Sequence, residues 1–205
     1  MGLLTIATES KEAGVIIEGN DVRTLDLGSG QFRLHLGGMP WTEGTNWFEK
    51  IAMPASGLLI AVARSDGEVF LFDREADAGP RRIVEAQGNG IADLQFSSDG
   101  RFLAMAFRNG RILVWNVQSG ETEQFWEQEG YLVSSIDFSP DASWIVVGGY
   151  GLDRVGRIGL IEVGEGLVES VSAGGPVRDV VFSINGNEIF AVGQEPPLRI
   201  LKTAF

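Results

Sequence analysis

Four segments of this chain repeat one pattern at an interval of 42 to 44 residues, and that interval limits what the chain can fold into. They are FEKIAMPASGLLIAVA, IADLQFSSDGRFLAMAF, VSSIDFSPDASWIVVGG and VRDVVFSINGNEIFAVG, each an apolar strand, a polar turn and a second apolar strand. The residues that open the turn, Met53, Phe96, Phe138 and Phe182, stand 43, 42 and 44 positions apart. A short third strand follows each hairpin (VFLFD, ILVWN, IGLIEV, LRILK), with Phe72, Trp115, Ile161 and Leu201 in one column. RRIVEA, EQFWEQ and GLVESVS read as a fourth, more polar strand. Residues 1–37 fit the same template: LLTIATE, a turn at SKEAG, then GVIIEG, VRTLDL and QFRLHL. The runs alternate apolar and polar residues and end at Gly, Asp, Asn or Ser, which marks short antiparallel strands. No dozen residues sustain a helical period, so the expected class is all-β. Such a repeat cannot bury its own apolar face and must stack on its neighbours.

Composition removes several function classes. With 28 acidic and 16 basic side chains the 205-residue chain carries a formal charge of −12, which opposes a phosphate backbone. No cysteine is present, so disulfides, thiolate metal sites and thiol nucleophiles are excluded, and His35 is the single histidine. No Gly-Lys pair exists to build a P-loop. The cluster Gly148, Gly149, Gly151, Gly156 and Gly159 fits no nucleotide fingerprint and is expected to form an elongated hairpin loop. The pairs Glu121/Glu123 and Glu127/Glu129 read as a solvated outer face. Asp93, Asp137 and Asp179 lie on first strands, where carboxylates either serve chemistry or hydrogen-bond neighbouring turns. The longest apolar run, 51–63, is interrupted and far short of the ~20 residues a membrane helix needs. No leader or lipidation pattern is evident. The expectation is a soluble cytoplasmic protein without cofactor, metal, nucleic-acid or membrane partner.

A four-stranded unit of about 43 residues is the spacing of propeller blades. FSSDG at 96–100, FSPDA at 138–142 and FSING at 182–186 resemble the first hairpin of the WD-repeat family. RILVWNVQSG at 111–120 resembles its third strand, with Trp115-Asn116 in place of the Trp-Asp pair. Leu25-Asp26 and Phe72-Asp73 keep the Asp of that column, whereas Ile161-Glu162 and Leu201-Lys202 depart from it. No histidine precedes a first strand, so the buried Trp, Ser/Thr, His and Asp network of the family is missing. Apolar packing behind Phe72, Trp115 and Ile161 must replace it. The resemblance implies a β-propeller of WD-repeat-like blades at about 1–37, 38–87, 88–130, 131–175 and 176–205, the last incomplete. The whole chain is then one propeller domain or part of one.

That resemblance also implies a function: a non-catalytic protein-interaction platform, a scaffold or sensor subunit of a larger complex. A propeller enzyme with channel carboxylates, or a sensor fragment of a multidomain signalling protein, are the alternatives. Family members dock partners on the face bearing the loops before strand one and between strands two and three. Carried over by alignment, those positions are Glu49, Ala92, Ser134 and Arg178, with Ser65, Arg108 and Tyr150 on the hairpins. Trp41 and Trp47 in the loop 37–48 are read as a plug between the first two blades, with a binding anchor as the alternative. The last strand, with Leu198, Ile200, Leu201 and Phe205, is expected to be an unpaired edge that associates. A further copy of the chain or another protein would then complete the ring.

Overall fold

The computed structural model describes residues 3–7, 11–17, 21–36, 47–76, 79–86, 88–193 and 198–202. They form five antiparallel meanders, and no helix occurs among the described residues. The first sheet orders β1 (Leu3–Ala7), β2 (Glu12–Ile17), β3 (Asp21–Asp26) and β4 (Phe32–Leu36). The second has β5 (Phe48–Ala52), β6 (Leu59–Arg64), β7 (Val69–Asp73) and β8 (Arg81–Val84). The third runs β9 (Ile91–Phe96), β10 (Phe102–Phe107), β11 (Arg111–Asn116) and β12 (Thr122–Glu127). The fourth contains β13 (Tyr131–Phe138), β14 (Trp144–Gly151), β15 (Gly156–Glu162) and β16 (Gly166–Gly174). The fifth has three strands among the described residues, β17 (Val177–Phe182), β18 (Glu188–Gly193) and β19 (Leu198–Lys202). The chain divides into two compact units, 1–94 and 95–205, the boundary falling inside β9.

Each unit is held by sheets facing one another. In the first, Val22 joins Phe48, Ile51, Met53, Ile60, Val62, Phe70 and Phe72 in one buried cluster. In the second, Val146, Ile158 and Ala173 of the fourth sheet meet Val177, Val180, Phe182, Ile189 and Ala191 of the fifth. The expected strict alternation fails in the second strands. Ala61 and Ala63 are buried together with Ile60 and Val62, and Leu103 to Phe107 are buried without a break. Such strands are covered on both faces, so continuous apolar runs such as FLAMAF are what the site demands. The column residues Phe72, Trp115 and Ile161 are 6%, 2% and 0% exposed, as apolar packing in place of a polar network requires. Leu201 is partly buried against the fourth-to-fifth cluster.

The repeated turn explains why Ser and Asp or Asn recur after the opening aromatic residue. Trp144 N–H donates to Ser139 Oγ at 2.9 Å, Ser139 Oγ donates to Asp141 Oδ1 at 2.6 Å, and Ser143 N–H donates to the same oxygen at 3.1 Å. Ser97 with Asp99 and Ser183 with Asn185 repeat the arrangement. The Ser139 hydroxyl, then the Ser143 N–H, hold the Asp141 carboxyl below its ordinary range. Burial alone would raise Asp99, but bonds from Arg101 and Ser97 outweigh it and the shift is downward. The turn needs a left-handed residue, and Gly100, Ala142 and Gly186 supply it at φ of 70°, 62° and 72°. The Asp of the third-strand column has its own task. Asp26 and Asn116 each accept two backbone N–H bonds from the loop after that strand, at 2.6–3.0 Å. Only a short side chain reaches those groups, which accounts for Asp or Asn there.

The glycine cluster corrects an expectation. Gly148, Gly149 and Gly151 lie on β14, and Gly156 and Gly159 on β15, within a continuous ladder rather than an elongated loop. Close packing explains them. A Cβ at Gly148 would meet Val180 at 2.6 Å and Val177 at 2.8 Å, and one at Gly156 would overlap the Gly175 carbonyl oxygen. A smaller correction concerns β2, which starts at Glu12, inside the expected turn SKEAG.

Candidate functional site

The first strands carry an unanticipated regularity. In β5, β13 and β17 the pairing register slips by one residue, leaving Glu49, Ser134 and Arg178 as the extra residues of β-bulges. A bulge bends the strand and re-aims the side chain of the residue it inserts. These are three of the four first-strand positions the family resemblance nominates. The fourth, Ala92, is buried at 7% exposure.

Ser134, Tyr150 and Arg178 come together. They line one cleft of about 580 Å³ in the second unit, with Leu132, Leu152 and Arg154 on the same wall. Tyr150 sits at the end of β14, opposite Leu132 on β13 and Gly156 on β15. The hairpin loop beyond it is braced locally. Val155 N–H donates to Asp153 Oδ1 at 3.0 Å, and Arg157 reaches Asp153 Oδ2 at 2.8 Å. That Arg157 bond, with Val155 N–H, holds the Asp153 carboxyl below its ordinary range. The braced loop places Arg154 in the left-handed region at φ 62° and leaves Leu152 79% exposed. Beneath it Tyr131, 2% exposed, donates its hydroxyl to the Arg157 carbonyl at 2.9 Å and sets its ring edgewise on Trp126 at 4.8 Å. Burial pushes that hydroxyl well above the ordinary tyrosine range, opposed by the Arg157 charge.

The other nominated residues lie elsewhere. Ser65 is half-buried after β6 and ties to Trp47: its N–H donates to the Trp47 carbonyl at 2.9 Å, and its hydroxyl accepts from Trp47 N–H at 3.3 Å. Glu49 is half-buried and Arg108 exposed, both with bonded partners. Trp47 is 56% exposed, which does not suit a plug; Trp41 lies outside the described residues, as does Phe205. In register, Leu198 stands opposite Val192 and Ile200 opposite Phe190. The side chain of His35, on β4, is outside the described residues.

The first-strand carboxylates are engaged. Lys50, Asp93, Ser135 and Asp179 occupy one column, three residues before the turn-opening position. Lys50 Nζ lies 3.7 Å from Asp93, and Ser135 Oγ donates to Asp179 Oδ1 at 2.7 Å. Asp137 instead accepts from the backbone N–H of Phe182 at 2.8 Å, a bond to the neighbouring turn-opening residue. These bonds join adjacent sheets within a unit. The acids Glu127 and Glu129 are exposed and border a second hollow of about 610 Å³ that shares Leu132 with the cleft. Among the described residues no three His, Asp or Glu side chains are grouped to hold a metal ion, and no helix is long and apolar enough to cross a membrane.

Comparison with known proteins agrees with the blades. Residues 59–141 match the family model for the anaphase-promoting complex subunit 4 WD40 domain. An uncharacterised WD repeat-containing protein of Synechocystis is 33% identical over 144 residues, covering 67% of this chain and 39% of that protein. A WD repeat-containing protein of Schistosoma mansoni is 25% identical over 150 residues, covering 71% of this chain and 47% of that protein. A tricorn protease homologue of Streptomyces coelicolor is 26% identical over 176 residues, covering 71% of this chain and 16% of that protein. The chain thus spans less than half the length of each of these relatives. WD-repeat domains serve in general as protein-interaction scaffolds and are typically not enzymes, although a protease homologue is among these relatives. With repeated Ser-Asp hairpins, an Asp or Asn closing the third strand, and four-stranded antiparallel sheets, the chain belongs to the WD-repeat family and its sheets are blades of the β-propeller class.

Proposed function

We propose that this chain is a non-catalytic platform of a cytoplasmic complex, holding a protein partner at the cleft formed by Ser134, Tyr150 and Arg178. One observation carries the reading: these three residues, 44 positions apart at the extremes, converge on one cleft, and two of them are bulge residues aimed there. Tyr and Arg are residue types that dominate interface energetics. Asp93 and Asp179 are committed to Lys50 and Ser135, which favours the platform over a channel-carboxylate enzyme. Incorporating the photo-cross-linking residue benzoylphenylalanine at position 134 or 178 in cells should give discrete adducts with the same one or few proteins. Position 119, an exposed residue in the loop after β11, should give none of those adducts. Adducts of the same proteins at 119, or none at 134 and 178, would sink the reading.

A second contact has its own observation. On the fifth sheet Val180, Phe182, Ile189 and Ala191 are buried against the fourth, while Val181 and Val192 are 48% and 45% exposed. Val181 pairs with Phe190 and Val192 with Asp179, so the exposed valines share one face. We propose that another copy of the chain covers this face, with β19 as the associating edge. Native mass spectrometry of the 22.1 kDa chain should then show a discrete multiple, which Val181→Lys/Val192→Lys returns to single chains. Single chains at every concentration would refute self-association.

A further inference from the structure

The cleft is defined by charge as well as by place. Arg154 and Arg178 are both exposed on its wall, and among the described residues neither forms an ion pair or side-chain hydrogen bond. The nearest carboxylates in sequence are engaged elsewhere. Asp153, beside Arg154, is held by Arg157 at 2.8 Å; Asp179, beside Arg178, accepts from Ser135 Oγ at 2.7 Å and from Val180 N–H at 3.0 Å. Among the described residues lining the cleft there is no acid, in a chain whose formal charge is −12. Two guanidinium groups without counter-charge among the described residues, around apolar surface from Leu132, Leu152 and Tyr150, suit a ligand that is both anionic and apolar. A volume near 580 Å³ accommodates a few residues of peptide. The neighbouring hollow, bordered by Glu127 and Glu129, repels such a ligand and directs it toward the arginines.

We propose that the cleft recognises an acidic peptide segment in which carboxylates flank a leucine or aromatic side chain. Arg154 and Arg178 bind the carboxylates, and Leu152 and Tyr150 cover the apolar residue. Guanidinium–carboxylate pairs are often bidentate and give such a site geometric selectivity. The overall negative charge repels the same peptide at long range, so recognition operates at contact distance. This assignment rests on the platform reading, whose cross-linking test is separate from the one that follows.

The probe is a fluorescein-labelled peptide, Glu-Phe-Glu-Leu-Glu, titrated into the full chain and followed by polarisation. The expected result is saturable binding. Glutamine in place of each glutamate, or Arg154→Asn or Arg178→Gln in the protein, should weaken it about tenfold each. Both substituted residues are exposed, and asparagine tolerates the left-handed backbone at 154. Both variants should therefore melt as the parent does. Equal binding of the glutamine peptide, or undiminished binding by either variant, overturns the acidic-peptide assignment. Tighter binding of a 12-nucleotide oligothymidylate, sensitive to the same two substitutions, overturns it in favour of nucleic acid. If the peptide fails while cross-links at 134 and 178 persist, the platform reading survives and only the ligand class is wrong.

Discussion

Replacing Trp115 with alanine is expected to remove about 3–5 kcal/mol of stability. Trp115 is the largest fully buried side chain among the described residues, 2% exposed in the third sheet, opposite Leu103 on β10 and Thr122 on β12. Its loss leaves a cavity that close-packed strands can fill only in part, because Leu103 to Phe107 are themselves buried without a break. Single domains are stable by about 5–15 kcal/mol, so the loss is a large share of the whole. Trp115→Phe keeps most of the ring and should cost under half as much. Hydrogen exchange read peptide by peptide is the appropriate measurement, since the chain has two compact units and need not unfold in one step. Protection should fall across 102–116 in the alanine variant. Unchanged protection there would mean that Trp115 fills no essential volume, and that blades without the family's polar network do not depend on this column.

The residue dependence of that core was legible because it repeats. A column of Phe72, Trp115, Ile161 and Leu201 at a regular interval can mean only equivalent positions in equivalent sheets, and β7 and β19 coincide with VFLFD and LRILK. The hairpin serines were equally legible, since Ser-x-Asp and Ser-x-Asn satisfy their turns with bonds two to five residues away. Contacts between repeats were not legible in the same way. The purpose of Gly148 is set by Val177 and Val180, some 30 residues onward, and without those neighbours the glycine spacing alone suggests a loop. No sequence pattern marks Arg154 and Leu152, because they sit in a loop whose shape depends on the Asp153–Arg157 bond. The column Lys50, Asp93, Ser135 and Asp179 did carry a signal. Its polar residues stand at the same distance before each turn-opening residue, which marks them as neighbours between blades rather than as scattered acids.

Gly149→Ala should be nearly as damaging, by the opposite route. The backbone at Gly149 is extended within β14, paired with Val133 and Arg157, so alanine meets no conformational penalty there. The obstacle is space: a Cβ would overlap the Leu132 carbonyl oxygen and stand 2.8 Å from both Cζ and the hydroxyl oxygen of Tyr131. Neither neighbour can yield cheaply. The Leu132 carbonyl belongs to the strand that pairs with β14, and the Tyr131 ring is pinned between Trp126 and the Arg157 carbonyl. Overpacking of this kind costs about 3 kcal/mol where the backbone is the obstacle. Gly79→Ala, which would meet nothing within 4 Å, is the matched control and should change stability by under about 0.5 kcal/mol. Denaturant midpoints of the two variants, with Tyr131→Leu added to Gly149→Ala, separate the two obstacles. Removing the ring should recover only part of the loss, because the Leu132 carbonyl remains. Full recovery would place the whole constraint on Tyr131. The same strain bears on binding, since Leu132 and Tyr150 flank Gly149 in the register and line the cleft. Whatever Gly149→Ala does to the sheet should therefore also weaken the acidic peptide, even though Gly149 is not a lining residue of the cleft.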